Sequence, residues 1–162
     1  MNNFTITDED KRFMKMACDL ASENVDRGGG PFGAVIVKDG ELIATGCNSV
    51  AIDNDPVAHA EINAIRQACR LIRGFKLNGC VIYCSCEPCP MCLSALYWAG
   101  VSRVYYSSTS ADAGRANFND DFIYKEIDKP HLERAIPCIH MESSTAQYSF
   151  NKWMLKDDKI EY

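Results

Sequence analysis

The sequence predicts an α/β domain of three layers (α/β/α), with helices on both faces of a mixed sheet. Two observations carry this prediction. Ala34-Val35-Ile36-Val37 and Leu42-Ile43-Ala44 are short apolar runs around Asp39-Gly40, a dipeptide that favours a tight hairpin and hence two antiparallel strands. Downstream, apolar residues at helical spacing alternate with compact strand-like runs, and such alternation requires helical cover on both sheet faces.

Thr7-Asp8-Glu9-Asp10 reads as a capped helix start whose acids suit the positive end of the helix dipole. Phe13, Met16, Ala17 and Leu20 then recur at helical spacing until Gly28-Gly29-Gly30-Pro31 ends the helix. After the hairpin, Ile62, Ile65, Ala68, Cys69 and Ile72 form a second helical stripe that runs up to Gly74. Val81-Ile82-Tyr83 reads as a buried strand, Pro90 to Trp98 as a helix carrying Met91, Leu93, Leu96 and Tyr97, and Val104-Tyr105-Tyr106 as another strand. Phe122 to Asp128 reads as a short helix or turn, Cys138-Ile139-His140-Met141 as a weaker strand, and Thr145 to Leu155 as a closing amphipathic helix with Tyr148, Phe150 and Trp153. No repeat, low-complexity tract or linker interrupts the chain, so residues 1–162 are expected to form a single domain.

With 47% hydrophobic and 24% charged residues, the composition is that of a soluble globular protein. Met1-Asn2-Asn3-Phe4-Thr5 has no basic patch followed by an apolar run, and no segment approaches the roughly 18 apolar residues of a membrane span, so a cytoplasmic location without membrane attachment is expected. Nine cysteines is an odd number that cannot pair completely within one chain, which suits a reducing compartment and argues against a disulfide framework. The net charge of −5 and the absence of a basic stripe weigh against a nucleic-acid partner.

The chemistry concentrates in two stretches, Asp55-Pro56-Val57-Ala58-His59-Ala60-Glu61 and Cys86-Glu87-Pro88-Cys89-Pro90-Met91-Cys92. His59, Cys89 and Cys92 can bind one zinc ion and leave a fourth position open for water, as catalytic zinc sites do. Cys89 and Cys92 are three apart and share a face if they lie in a first helical turn, where Pro90 is well tolerated and the positive helix end favours thiolates. His59 and Glu61, two apart, would diverge inside a regular helix, so the helix is expected to begin only at about His59 or Ala60. Glu61 is then free to move protons as a general acid and base. A Cys-x-x-Cys pair alone also fits a structural zinc knuckle or a redox pair. Cys84 and Cys86 lie near enough in sequence to be considered as a fourth ligand, yet Glu87-Pro88 and the otherwise unexplained His59-x-Glu61 speak against a closed cage.

His59-Ala60-Glu61 together with Pro88-Cys89-Pro90-Met91-Cys92 resembles the motif of the cytidine deaminase superfamily of zinc-dependent hydrolytic deaminases. Within it, residues 29–37, Asn54-Asp55-Pro56, Leu96-Tyr97-Trp98, residues 120–130 and the terminal Glu161-Tyr162 look like the bacterial guanine deaminase family, over most of the chain from Gly29 onward. The resemblance implies a cytidine deaminase-like mixed sheet of five strands, and a homodimer in which the C-terminal segment, about 145–162, exchanges and covers the partner's active site. It implies one zinc per chain on His59, Cys89 and Cys92, with Glu61 as the catalytic proton shuttle. Asn48, Asp120 and Tyr162 would contact or close over a purine, and Phe32 and Trp98 would form aromatic walls. The activity implied is hydrolysis of guanine to xanthine and ammonia by a zinc-bound hydroxide attacking C2, a step of guanine catabolism. Alternatives within the same chemistry are guanosine or another amino-purine or small amino-heterocycle, and the adenosine of a tRNA; outside it stands a non-catalytic zinc-binding interaction module. One departure concerns Asn117-Phe118-Asn119-Asp120, where that family reads Gly-Phe-Asp-Asp; Asn at the first position can still take a left-handed backbone conformation.

Overall fold

The computed structural model describes residues 5–161. The chain divides into two compact units, Met1–Asp121 and Phe122–Tyr162.

The first unit contains the sheet. Helix α1 (Asp8–Asp26) begins with a capping box, in which Asp10 N donates to Thr7 Oγ1 at 3.1 Å and Thr7 N donates to Asp10 Oδ2 at 2.7 Å. Strands β1 (Gly33–Lys38) and β2 (Glu41–Cys47) form the expected hairpin, with Asp39 and Gly40 both at positive φ. The register shifts by one residue between Ile36 and Val37, a bulge that adds twist to the hairpin. A short helix α2 (Val50–Asp53) leads to α3 (Ala60–Ile72), followed by β3 (Cys80–Cys86), α4 (Pro90–Ala99), β4 (Arg103–Ser108) and α5 (Ser110–Arg115).

The strands are ordered β2-β1-β3-β4; β1 pairs antiparallel with β2 and β3, and β3 pairs parallel with β4. Alternation along β1 and β3 splits the core into two halves. Ala34, Ile36, Cys80, Ile82 and Cys84 face Ala60, Ala64, Ala68, Leu96 and Ala99 of α3 and α4. Val35, Val37 and Tyr83 face Phe13 and Ala17 of α1. The result is three layers, α1 on one face and α3 with α4 on the other.

Gly46 sets how closely α3 lies on the sheet. A Cβ placed there would come well under 3.0 Å from Ala60 O and Ala64 N, so only glycine lets the first turn of α3 rest on β2. That turn carries Glu61, and His59 caps it.

The second unit contains α6 (Asp121–Asp128), which opens at its boundary, a 3₁₀ turn over His131–Glu133, and α7 (Tyr148–Met154). Arg134 ties its turns together, donating from Nη2 to Ile127 O at 2.9 Å and from Nε to Lys129 O at 3.1 Å.

Two expectations are corrected. The sheet has four strands among the described residues, not five, because residues 138–141 are exposed and form no strand. A strand is stabilised by a ladder partner, and no strand exists among the described residues of the second unit to supply one. The closing helix is also shorter than residues 145–155: Thr145 lies in a turn whose backbone N–H and side chain engage Ser143 Oγ. Helices α2 and α5 were not expected; α2 has only four residues, too few to show a period.

Candidate active site

The site forms where β2 and β3 end and β1 begins, at the N-termini of α3 and α4. Helix α3 starts at Ala60 with His59 as its extended N-cap, so His59 precedes the helix and Glu61 occupies its first turn. This offset cancels the divergence that a spacing of two would impose inside a helix. Asn63 holds the entrance in place, its Nδ2 donating to Cys47 O at 2.9 Å and Ser49 Oγ at 3.0 Å. Helix α4 starts at Pro90 with Cys89 as its N-cap, whose Sγ accepts from Cys92 N at 3.5 Å. Proline at the first helical position and an extended cap bring Cys89 and Cys92 onto one face.

His59 Nδ1 lies 3.6 Å from the sulfurs of both Cys89 and Cys92. The three ligand atoms all fall within 4.8 Å of one another. Bond lengths of roughly 2.1 Å to nitrogen and 2.3 Å to sulfur at tetrahedral angles give an N···S edge of about 3.6 Å, so the donor set fits a zinc-sized tetrahedral ion. Neither Cys84 nor Cys86 belongs to this group among the described residues.

Charge is distributed unevenly here. The hydrogen bond between the two thiols, aided by His59, holds Cys89 down to about 4, while Cys89 and burial push Cys92 up. Hydrogen bonding to Cys89 raises His59. Glu61 is 7% exposed, and desolvation pushes its carboxyl above the usual range, which makes its anion a better base. Cys92 Sγ lies 3.4 Å from Glu61 Oε2, so this carboxylate sits against the metal-donor set.

A cavity of about 530 Å³ opens over these groups, a volume ordinary for a small-molecule site. His59, Glu61 and Cys89 reach it from one side, while Phe32, Asn48 and Asp120 line it elsewhere. Asn48 is buried, its Oδ1 accepting from Val50 N at 3.3 Å. Desolvation raises the pKa of Asp120, and the charge of Cys89 adds to the effect. Phe32 packs edge-on against Phe118 at 5.0 Å. Asn117 takes φ +68°, the left-handed conformation that glycine favours, and so carries the loop to Asp120.

Trp98 does not line this cavity; it is 65% exposed on α4. Tyr162 lies outside the described residues.

Sequence reasoning missed several wall residues. Gly28, Gly29 and Gly30 line the cavity as well as ending α1, and Glu87 lines it while its Oε2 accepts from Ser110 N at 3.1 Å. The signal for α5, which supplies Ala113 to the wall, was legible: Thr109 and Asp112 form a second capping box.

Comparisons with known proteins agree with this geometry. Residues 7–108 match the family described as "Cytidine and deoxycytidylate deaminase zinc-binding region". A guanine deaminase of Bacillus subtilis is 52% identical over 93% of this chain and 97% of its own length. An X-ray structure of guanine deaminase from Bacillus subtilis superposes with a TM-score of 0.92, covering 94% of this chain and 98% of that one at 51% identity. A structure of guanine deaminase from Nitrosomonas europaea gives a TM-score of 0.66 at 29% identity, covering 74% and 68% of the two chains. A tRNA-specific adenosine deaminase of Aquifex aeolicus is 36% identical over 76% of this chain and 80% of its own. A family match that spans more than half the chain and a relative matched over nearly its whole length lead to one assignment: the chain belongs to the cytidine and deoxycytidylate deaminase zinc-binding family.

Proposed function

We propose that this protein hydrolyses guanine to xanthine and ammonia. The observation that carries the reading is the buried Glu61 carboxylate set 3.4 Å from Cys92, beside a three-donor metal set, in a chain 52% identical to a guanine deaminase. Zinc held by His59, Cys89 and Cys92 would supply a Lewis acid that brings the pKa of a bound water from about 15.7 to roughly 7. Glu61 takes the proton from the attacking water, passes it to purine N3 as C2 is attacked, and then assists departure of the amino group. The positive dipole ends of α3 and α4 lie at the metal-donor set and favour the developing negative charge. Asn48 and Asp120 hold polar edges of the base, and Phe32 stacks against its face.

Residues 1–162 act as one deaminase domain in the cytoplasm, as a homodimer. In this reading the C-terminal segment, about 145–162, covers the partner's site and brings Tyr162 over the substrate, and Trp98 serves as an aromatic wall in the assembled dimer. The net charge of −5 favours a free base over a polyanion such as tRNA.

The test is ammonia release by the zinc-loaded protein from guanine, guanosine, adenine, adenosine, cytosine and cytidine in parallel. Guanine is expected to react fastest. No release from guanine above that of a Glu61→Gln control overturns the reading, and faster release from guanosine moves the substrate to the nucleoside.

A further inference from the structure

Asn24 lies in the last turn of α1, outside the metal set and the cavity lining, yet it is one of the few buried polar side chains, only 4% exposed. A buried amide is costly unless it is hydrogen-bonded. Its Nδ2 donates both hydrogens to backbone carbonyls, to Asn48 O at 2.7 Å and to Gly30 O at 2.8 Å. Its own backbone carbonyl accepts from Gly29 N at 2.9 Å. One side chain therefore joins the end of α1, the glycine segment that walls the cavity, and the residue at the end of β2.

The glycines match this clamp. A Cβ at Gly29 would come under 3.0 Å from both Asn24 Nδ2 and Asn48 O, and one at Gly30 would meet Asn48 Oδ1 at 2.9 Å. The segment is bare where Asn24 and Asn48 press against it. Two further hydrogen bonds orient the rest of Asn48: its backbone N donates to Phe32 O at 3.1 Å, and its side-chain Oδ1 accepts from Val50 N at 3.3 Å. Nothing besides Asn24 Nδ2 is seen to hold its carbonyl among the described residues.

We infer that Asn24 is a positioning residue that fixes Asn48 for purine binding, with the Gly30 carbonyl as its second anchor, an inference that rests on Asn48 being a purine contact. Asp is nearly isosteric with Asn but presents only acceptors to two carbonyls, whereas Ala removes the bridge and leaves space. The two variants fail differently, so a common result is informative.

The test is a double-mutant cycle on the zinc-loaded enzyme with guanine, using Asn24→Ala, Asn24→Asp, Asn48→Ala and Asn24→Ala/Asn48→Ala. Each variant is also checked for zinc content and melting temperature. Asn24→Ala is expected to lower kcat/KM roughly tenfold, mainly through KM, with zinc retained, as loss of two neutral hydrogen bonds would. Asn24→Asp is expected to lower it further. The double variant should be no worse than Asn48→Ala, because Asn24 acts through Asn48. Unchanged kinetics in both Asn24 variants, or losses that multiply in the double variant, overturn the inference. Should one Asn24 variant fail to fold, the other decides by the same criteria. If Asn48→Ala itself leaves guanine turnover intact, the purine-contact reading fails, an outcome separable from failure of the clamp.

Discussion

Cys92 Sγ stands 3.4 Å from Glu61 Oε2, although the two residues are 31 apart in sequence and sit on different helices. The buried carboxylate and the three-donor set thus share one wall, which is the arrangement the proposed hydrolysis requires. Replacing Glu61 with Gln keeps the shape and removes the base. Turnover is expected to fall about 10²- to 10⁴-fold while bound zinc stays at one per chain. Ammonia release alongside metal analysis checks this, and near-normal turnover would remove Glu61 from the mechanism.

Metal removal should affect folding as well as activity. An ion bound at about 1,000 times its dissociation constant stabilises the native state by roughly 4 kcal/mol. Treatment with a chelator should therefore lower the melting temperature and abolish ammonia release, with both restored by zinc. Cys89→Ser should weaken zinc retention in a competition assay. A chelated protein that keeps full activity would exclude a catalytic metal.

Gly46 links packing to the site. Because a Cβ there meets Ala60 O and Ala64 N, Gly46→Ala must push the start of α3 off β2 and carry His59 and Glu61 with it. The expected cost is about 1–3 kcal/mol, the range for overpacking a core. Denaturant melts measure the stability, and zinc affinity reports the displacement. An unchanged melt would mean that α3 tolerates the shift.

The Asp10–Tyr83 pair sets a limit at low pH. Tyr83 Oη donates to Asp10 Oδ1 at 2.6 Å, tying α1 to β3. Burial opposes ionisation of Asp10, but hydrogen bonds from Tyr83 and Thr7 outweigh it and leave its pKa below 3.8. A carboxyl with a depressed native pKa binds fewer protons folded than unfolded. Its contribution is therefore present above pH 3.8 and lost as pH falls through the native value. Tyr83→Phe should show a shallower fall in melting temperature below that pH than the unmodified protein. Identical slopes would show that the pair carries no linkage.

The C-terminal proposal has its own measurement. Deleting Ile160-Glu161-Tyr162 should lower turnover of guanine and leave zinc content unchanged, since the lid would exclude water without touching the metal. Full activity after the deletion would reduce the segment to an unconstrained end.

The sequence by itself determined the hairpin, the three layers, the start of α3 at about His59 or Ala60 and the chemistry available to His59, Glu61, Cys89 and Cys92. These rest on local rules: a turn dipeptide, the period of apolar residues, and the ligand character of side chains three apart beside a proline. Only the tertiary structure decided what lies far apart along the chain and meets in space. It brought Asn24 to Asn48 across 24 residues, put Glu87 against Ser110, and left Trp98 outside the cavity. It also denied Cys138-Ile139-His140-Met141 a strand, since an apolar run becomes a strand only where an open ladder receives it. A buried asparagine resembles any polar helix residue in sequence, and its role appears only when the carbonyls it satisfies are folded around it.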